Sequence, residues 1–178
     1  MKQIYMIRHC EAEGQAPDAS LTAEGQRQAQ ELAKQLKNKP IDRIVSSPFS
    51  RAVDSIEPLA EQKEIPVEKD QRLKERILSG APLEDWQECL KQSFEDLDIC
   101  YEGGESGREA MTRGVSLLRE LLDSSDDKIA VVTHGGLMAL MLHHFDFRFG
   151  FSDWANLMNP DIYRLTFHNT IYPEIQRM

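Results

Sequence analysis

Two histidines in this sequence each close a short apolar run: His9 follows Ile4-Tyr5-Met6-Ile7-Arg8, and His134 follows Ile129-Ala130-Val131-Val132-Thr133. Arg8 precedes the first, Gly135-Gly136 follows the second, and Arg51 ends the stretch Ser47-Pro48-Phe49-Ser50-Arg51. These residue types suit phosphoryl chemistry. The rigid fork of an arginine matches phosphate oxygens, and glycines after a strand let backbone N–H groups at a helix start approach an anion. A neutral imidazole nitrogen can attack phosphorus, while a protonated one can stabilise the equatorial oxygens of the transferring group, so two histidines allow both roles. A single histidine at a strand end is more often a hydrogen-bonded structural residue than a catalyst, and it is the full set of motifs below that decides.

The elements that position these residues follow from periodicity and caps. Lys2 to Arg8 reads as a buried strand. Thr22 caps a helix with Ala29, Leu32, Ala33 and Leu36 at helical spacing and Glu24 in its first turn, stopped at Asn38-Lys39-Pro40. Ile41 to Ser46 is a second strand, and Ser47-Pro48 reads as cap and first residue of a helix to about Lys63. Pro66 to Lys69 is a short third strand, and Arg72 to Ser79 has no clean period and reads as a loop. Ala81 to Glu102 carries seven acids and one lysine, net −6, with Trp86, Leu90, Phe94 and Leu97 at helical spacing, an inserted acidic helix. Ser106 caps a helix bearing Met111, Val115, Leu118 and Leu122. Ile129 to Thr133 is a buried strand that turns at His134-Gly135-Gly136 into the apolar helix Leu137 to His144, and Ile162 to Phe167 is a last strand placed at an edge. The alternation predicts an α/β fold: a single three-layer domain over 1–178, with a mostly parallel central sheet, helices on both faces and a short helical lid at about 76–104. Ligands of such sheets bind at the carboxyl ends of the strands, where His9, Ser47 to Arg51 and His134 all fall.

Five motifs occur in one order: Arg8-His9-Cys10-Glu11-Ala12; Leu21-Thr22 with Gly25; Ser46-Ser47-Pro48 with Arg51-Ala52; Arg72-Leu73-Lys74-Glu75-Arg76; and Thr133-His134-Gly135. Together they resemble the histidine phosphatase superfamily, also called phosphoglycerate mutase-like, from about Lys2 to the last strand. The resemblance implies that His9 is the residue phosphorylated, that Arg8 and Arg51 bind the phosphate, that Glu75 is the general acid and base, and that His134 completes the phosphate pocket. It implies no metal and no organic cofactor. The chemistry agrees, since Arg8, Arg51 and His134 place positive charge around the equatorial oxygens, and those cations are expected to lower the pKa of His9. Glu75 adds a group able to protonate a leaving alkoxide and then take a proton from water. As a surface glutamate it would simply pair with Arg72 or Arg76.

Two departures bear on function. Cys10 stands where the family usually has glycine, and reads as a small buried thiol in preference to a reactive one. The segment Ala12 to Ala19 and the insertion between Arg76 and Gly104 are shorter than in the mutases, which places the chain in the short-lid phosphatase branch. The expected function is a metal-independent phosphomonoesterase acting on a small phosphate ester or a phosphoprotein through phospho-His9. The alternatives are mutase-type transfer between positions of a phosphoglycerate and a catalytically weak phosphoprotein-binding regulatory module. Glu105 and Gln15 are candidate rim contacts. His143, His144 and His168 lie far along the chain from acidic partners of metal-site spacing and read as core or surface residues.

With 178 residues, 40% of them hydrophobic and 29% charged, the composition is that of one globular domain. A net charge of −9 repels nucleic-acid phosphates and excludes general nucleic-acid binding. No apolar run is long enough for a membrane span, and the start at Met1 lacks the apolar core and cleavage site of a signal peptide. Three cysteines without CxxC spacing indicate neither a disulfide framework nor a zinc cluster. A cytoplasmic location is expected.

Overall fold

A computed structural model describes all 178 residues. Strand β1 (Lys2–Arg8) leads into helix α1 (Ala23–Leu36), β2 (Arg43–Ser46), α2 (Ser50–Lys63) and β3 (Val67–Lys69). After a 3-10 turn at Gln71–Leu73 come α3 (Trp86–Glu95), α4 (Gly107–Asp123), β4 (Lys128–Thr133), α5 (Gly135–Phe145), α6 (Phe151–Ala155), β5 (Asp161–Phe167) and β6 (Glu174–Arg177). The strands form one sheet in the order β3-β2-β4-β1-β5-β6. The first four are mutually parallel, and β5 and β6 run antiparallel to their neighbours.

The central strands are apolar through their middles, Ile4 to Ile7 on β1 and Ile129 to Val132 on β4, because both faces are covered. On β1, Tyr5 and Ile7 point into one cluster with Leu32 and Leu36 of α1 and Ile56 and Leu59 of α2. Ile4 and Met6 point the other way, toward Leu118 and Leu121 of α4 and Leu137 to Leu142 of α5. Helix α5 is buried along its whole apolar run, so it needs no polar face. This is the predicted three-layer α/β domain. No helix is long and apolar enough to cross a membrane.

The expected caps form: the Thr22 hydroxyl accepts from Gly25 N–H at 2.9 Å, and Ser106 with Glu109 makes a reciprocal capping box. Several placements differ from the sequence reading. β5 is not an edge, because the four-residue β6 pairs beyond it. Its alternating, largely exposed residues gave too short a pattern to register. Helix α2 starts at Ser50 instead of Pro48, since the Ser47 hydroxyl is committed to His134 and to the Phe49 N–H. The acidic insertion contains a helix of only ten residues, Trp86–Glu95. It is held to the body by Leu90 and Phe94 and by the edge-on contact of Trp86 with Trp154 of α6, centroids 6.1 Å apart.

Gly25 tests the local packing, because a Cβ there would lie 1.9 Å from the carbonyl oxygen of Glu11. Alanine normally favours a helix over glycine by about 1 kcal/mol, but the clash with backbone reverses the sign. Gly25→Ala is expected to lose about 1–3 kcal/mol in denaturant unfolding, and a stabilised variant would contradict the contact.

Candidate active site

Parallel pairing of β1 with β4 sets Arg8 against Thr133, and the His9 N–H donates to the Thr133 carbonyl at 3.0 Å. On the other side of β4, Ser47 N–H donates to Val132. The ends of β1, β2 and β4 thereby deliver His9, Ser47 and His134 to one place.

His9 is buried, and its Nδ1 lies 2.6 Å from the Cys10 carbonyl oxygen. A carbonyl only accepts, so Nδ1 carries the proton and Nε2 the lone pair. Arg51 Nε donates to that Nε2 at 3.2 Å. The His9 pKa falls from 6.5 to about 4, chiefly because burial disfavours the charged ring, with Arg51 and Arg8 adding to it against the opposing Cys10 carbonyl. The arginines are therefore the smaller cause and burial the larger, which reverses the emphasis of the sequence reading.

Arg51 is almost wholly buried and held by the carbonyls of Gln15 and Ala16, at 3.2 and 2.9 Å. The short segment after the first motif thus anchors a cation. Arg8 donates from Nη1 to the Leu157 carbonyl at 3.0 Å, and its guanidinium lies against Gly135, where a Cβ would come within 3.0 Å of Nε. His134 is fully buried, with Nε2 2.8 Å from Ser47 Oγ and its ring centroid 5.1 Å from that of His9. Burial holds its pKa well below 6.5, with His9 and the nearby arginines contributing, so the second histidine is neutral as well. The Ser47 hydroxyl can donate to Nε2, which leaves the proton on Nδ1. Arg8 Nε and His134 Nδ1 are buried polar atoms without a partner.

Glu75 meets the start of α5: its carboxylate accepts from Gly136 N–H at 3.0 Å, Leu137 N–H at 2.9 Å and Arg76 N–H at 2.7 Å. The helix N-terminus expected to receive a substrate anion thus holds the enzyme's own carboxylate. Gly136 allows this, since a Cβ there would sit 2.8 Å from Oε1. The Thr133 hydroxyl donates to the Leu73 carbonyl at 2.9 Å and ties the segment bearing Glu75 to β4. Beside this cluster opens a cavity of about 510 Å³ whose walls include Gln15, Phe49, Arg51, Lys74, Glu75, Glu105 and Arg113.

All five residues singled out from the sequence, His9, Arg8, Arg51, Glu75 and His134, come together here. Both rim candidates line the cavity, but none of the acids of Ala81 to Glu102 does. Cys10 is fully buried, its backbone has no positive φ, and burial pushes its thiol up to about 11, so glycine is not required there and a thiolate is disfavoured. Sequence reasoning missed three supports of His9 and its neighbours. They are Ser55, whose hydroxyl accepts from Cys10 N–H at 2.8 Å; Ser47 against His134; and Asn159, whose side chain donates to the His9 carbonyl at 2.8 Å. Ser47 lay within a quoted motif, whereas Ser55 and Asn159 carried no signal.

A family model of the histidine phosphatase superfamily (branch 1) matches residues 4–173. The chain belongs to this superfamily. As a histidine phosphatase homologue it is 39% identical over 159 residues to a probable phosphoglycerate mutase of Proteus mirabilis, covering 80% of this chain and 74% of that protein. It is 28% identical over 150 residues to phosphoserine phosphatase 1 of Hydrogenobacter thermophilus, covering 75% and 71% of the two chains. A mycobacterial glucosyl-3-phosphoglycerate phosphatase solved with inorganic phosphate superposes with a TM-score of 0.79 at 26% identity, covering 100% of this chain and 96% of that one. Its family and its phosphatase relatives make this chain a hydrolase of phosphate monoesters.

The two buried neutral histidines give the fold an acid sensitivity of defined sign. The unfolded chain takes up protons near pH 6.5 that folded His9 accepts only near 4. Stability is therefore full above about 6.5 and falls as the pH drops toward 4, by about 3 kcal/mol from His9 alone. Denaturant unfolding at several pH values should show a shallower acid loss for His9→Asn than for wild type, and equal slopes would contradict a neutral buried imidazole.

Proposed function

We propose that this histidine phosphatase hydrolyses small phosphate esters in two half-reactions through His9. The observation that carries the reading is the lone-pair-bearing Nε2 of His9 held beside Arg51, with partnerless buried polar atoms at Arg8 Nε and His134 Nδ1. Buried donors without partners are costly, and a phosphoryl group supplies the missing acceptors. In the first step Nε2 attacks phosphorus and the ester P–O bond breaks. Glu75, acting as general acid, gives its proton to the leaving oxygen. In the second step water attacks phosphorus, Glu75 takes the water proton, and the P–N bond breaks to release phosphate and free His9. Arg8, Arg51 and His134 stabilise the equatorial oxygens throughout.

The cavity favours a small molecule over a phosphorylated protein segment, because its volume of about 510 Å³ is that of a metabolite pocket. Water reaches it, since the rim residues Gln15, Pro17, Gln71 and Ile77 are exposed and the lid is one short helix. A mutase must instead keep a doubly phosphorylated intermediate away from water while it reorients. The likeness to a probable phosphoglycerate mutase keeps transfer as the second reading.

Two experiments test these roles. Glu75→Gln should slow hydrolysis of alkyl phosphates by roughly a hundredfold while sparing activated aryl phosphates, whose leaving groups need little protonation. Equal losses on both would assign Glu75 to binding. A phosphoglycerate that is accepted should release inorganic phosphate without accumulation of its positional isomer. Isomer formation several times faster than phosphate release, stimulated by a bisphosphate primer, would establish the mutase.

A further inference from the structure

On a chain of net charge −9, the cavity beside Glu75 is cationic: Arg51, Lys74, Arg76 and Arg113 face only Glu75 and Glu105. Two of the four are accounted for. Arg51 serves His9 and the 15–16 carbonyls. Arg113 is clamped by both oxygens of Glu105, at 2.9 and 2.8 Å. Arg76 is buried against Ser93 Oγ and the Glu105 carbonyl with no carboxylate in ion-pair range, so Glu105 and Glu75 offset its charge only from a distance. Lys74 forms neither an ion pair nor a side-chain hydrogen bond, although eight other lysines and arginines of this acidic protein are ion-paired.

A free surface lysine is ordinarily just solvated. Lys74 differs in its placement. It is half-buried, adjoins Glu75 in sequence, and has its carbonyl held by Arg113 Nη1 at 2.8 Å and its N–H bonded to Gln71, so its backbone is fixed. Its ammonium lies 6.0 Å from the centre of the Phe49 ring. The same ring is 5.1 Å from the Arg51 guanidinium carbon and packs edge-on to His134, 5.1 Å away. Phe49 thus adjoins both a free cation and the phosphate pocket.

We propose that Lys74 is a specificity-determining residue that binds a carboxylate on the leaving group, so that the preferred substrates are small phosphorylated carboxylic acids. This rests on the phosphatase reading above and adds the substrate class. Lys74 offers one compact charge, and the bidentate fork available at the rim, Arg113, is already filled by Glu105, so the free group balances a singly charged carboxylate better than a doubly charged second phosphate. The partly offset charge of Arg76 adds to the attraction without requiring contact.

The test compares substrates matched in carbon skeleton, phosphoglycolate with ethyl phosphate and 3-phosphoglycerate with glycerol 3-phosphate, in wild type, Lys74→Met and Lys74→Arg. Wild type should prefer the carboxylate member of at least one pair by tenfold or more in kcat/KM. Lys74→Met should collapse that ratio toward one, mainly through KM, and Lys74→Arg should restore part of it. A wild type without preference, or a ratio unchanged in Lys74→Met, overturns the proposal while leaving the phosphatase reading intact. If neither these esters nor an aryl phosphate is hydrolysed, both fall together.

Discussion

Everything at the site depends on one backbone constraint, the parallel pairing of β1 with β4 that sets Arg8 beside Thr133 and ties the His9 N–H to the Thr133 carbonyl. It buries two imidazoles at adjoining strand ends, ring centres 5.1 Å apart, where water cannot stabilise their charged forms. Burial keeps both rings neutral, and the Cys10 carbonyl decides which nitrogen of His9 keeps its lone pair. The core on each face of the sheet makes this placement rigid. A one-residue slip of either strand would move its histidine away from the other and turn that strand's side chains to the opposite face.

The second constraint is the start of helix α5. Its N–H groups are the natural seat of an anion, and they hold Glu75. Gly135 and Gly136 are needed for two different close approaches, of Arg8 to the first and of the Glu75 carboxylate to the second. One dipeptide therefore brings the Arg8 guanidinium and the Glu75 carboxylate against the same helix end. Of the side chains around His9, Arg8 and His134 retain buried polar atoms with nothing to bond.

Much of this was legible in the sequence because it is written in local patterns. The runs Ile4 to Ile7 and Ile129 to Val132 are apolar at every position, and each ends on a histidine, so both strands and both site residues could be read together. Caps at Thr22 and Ser106 followed from side-chain chemistry within a few residues. What stayed hidden depends on contacts between distant segments. Strand β6 exists because β5 offers it an edge, and α2 begins late because Ser47 turns toward His134, 87 residues away in sequence. The cause of the His9 shift was misjudged for the same reason: charges can be counted in a sequence, whereas desolvation requires the packed neighbours. The acidic insertion shows the converse, a conspicuous run of charge none of whose acids lines the cavity.

The central claim is that the phosphoryl group passes through His9 Nε2. It is tested most directly by a single turnover with substrate carrying radiolabelled phosphate, quenched in alkali and followed by peptide mapping. The account predicts acid-labile, alkali-stable label on the peptide containing His9, formed and discharged at rates compatible with turnover and absent from His9→Ala. Unlabelled protein with full turnover, or the same label on another residue in His9→Ala, would contradict it.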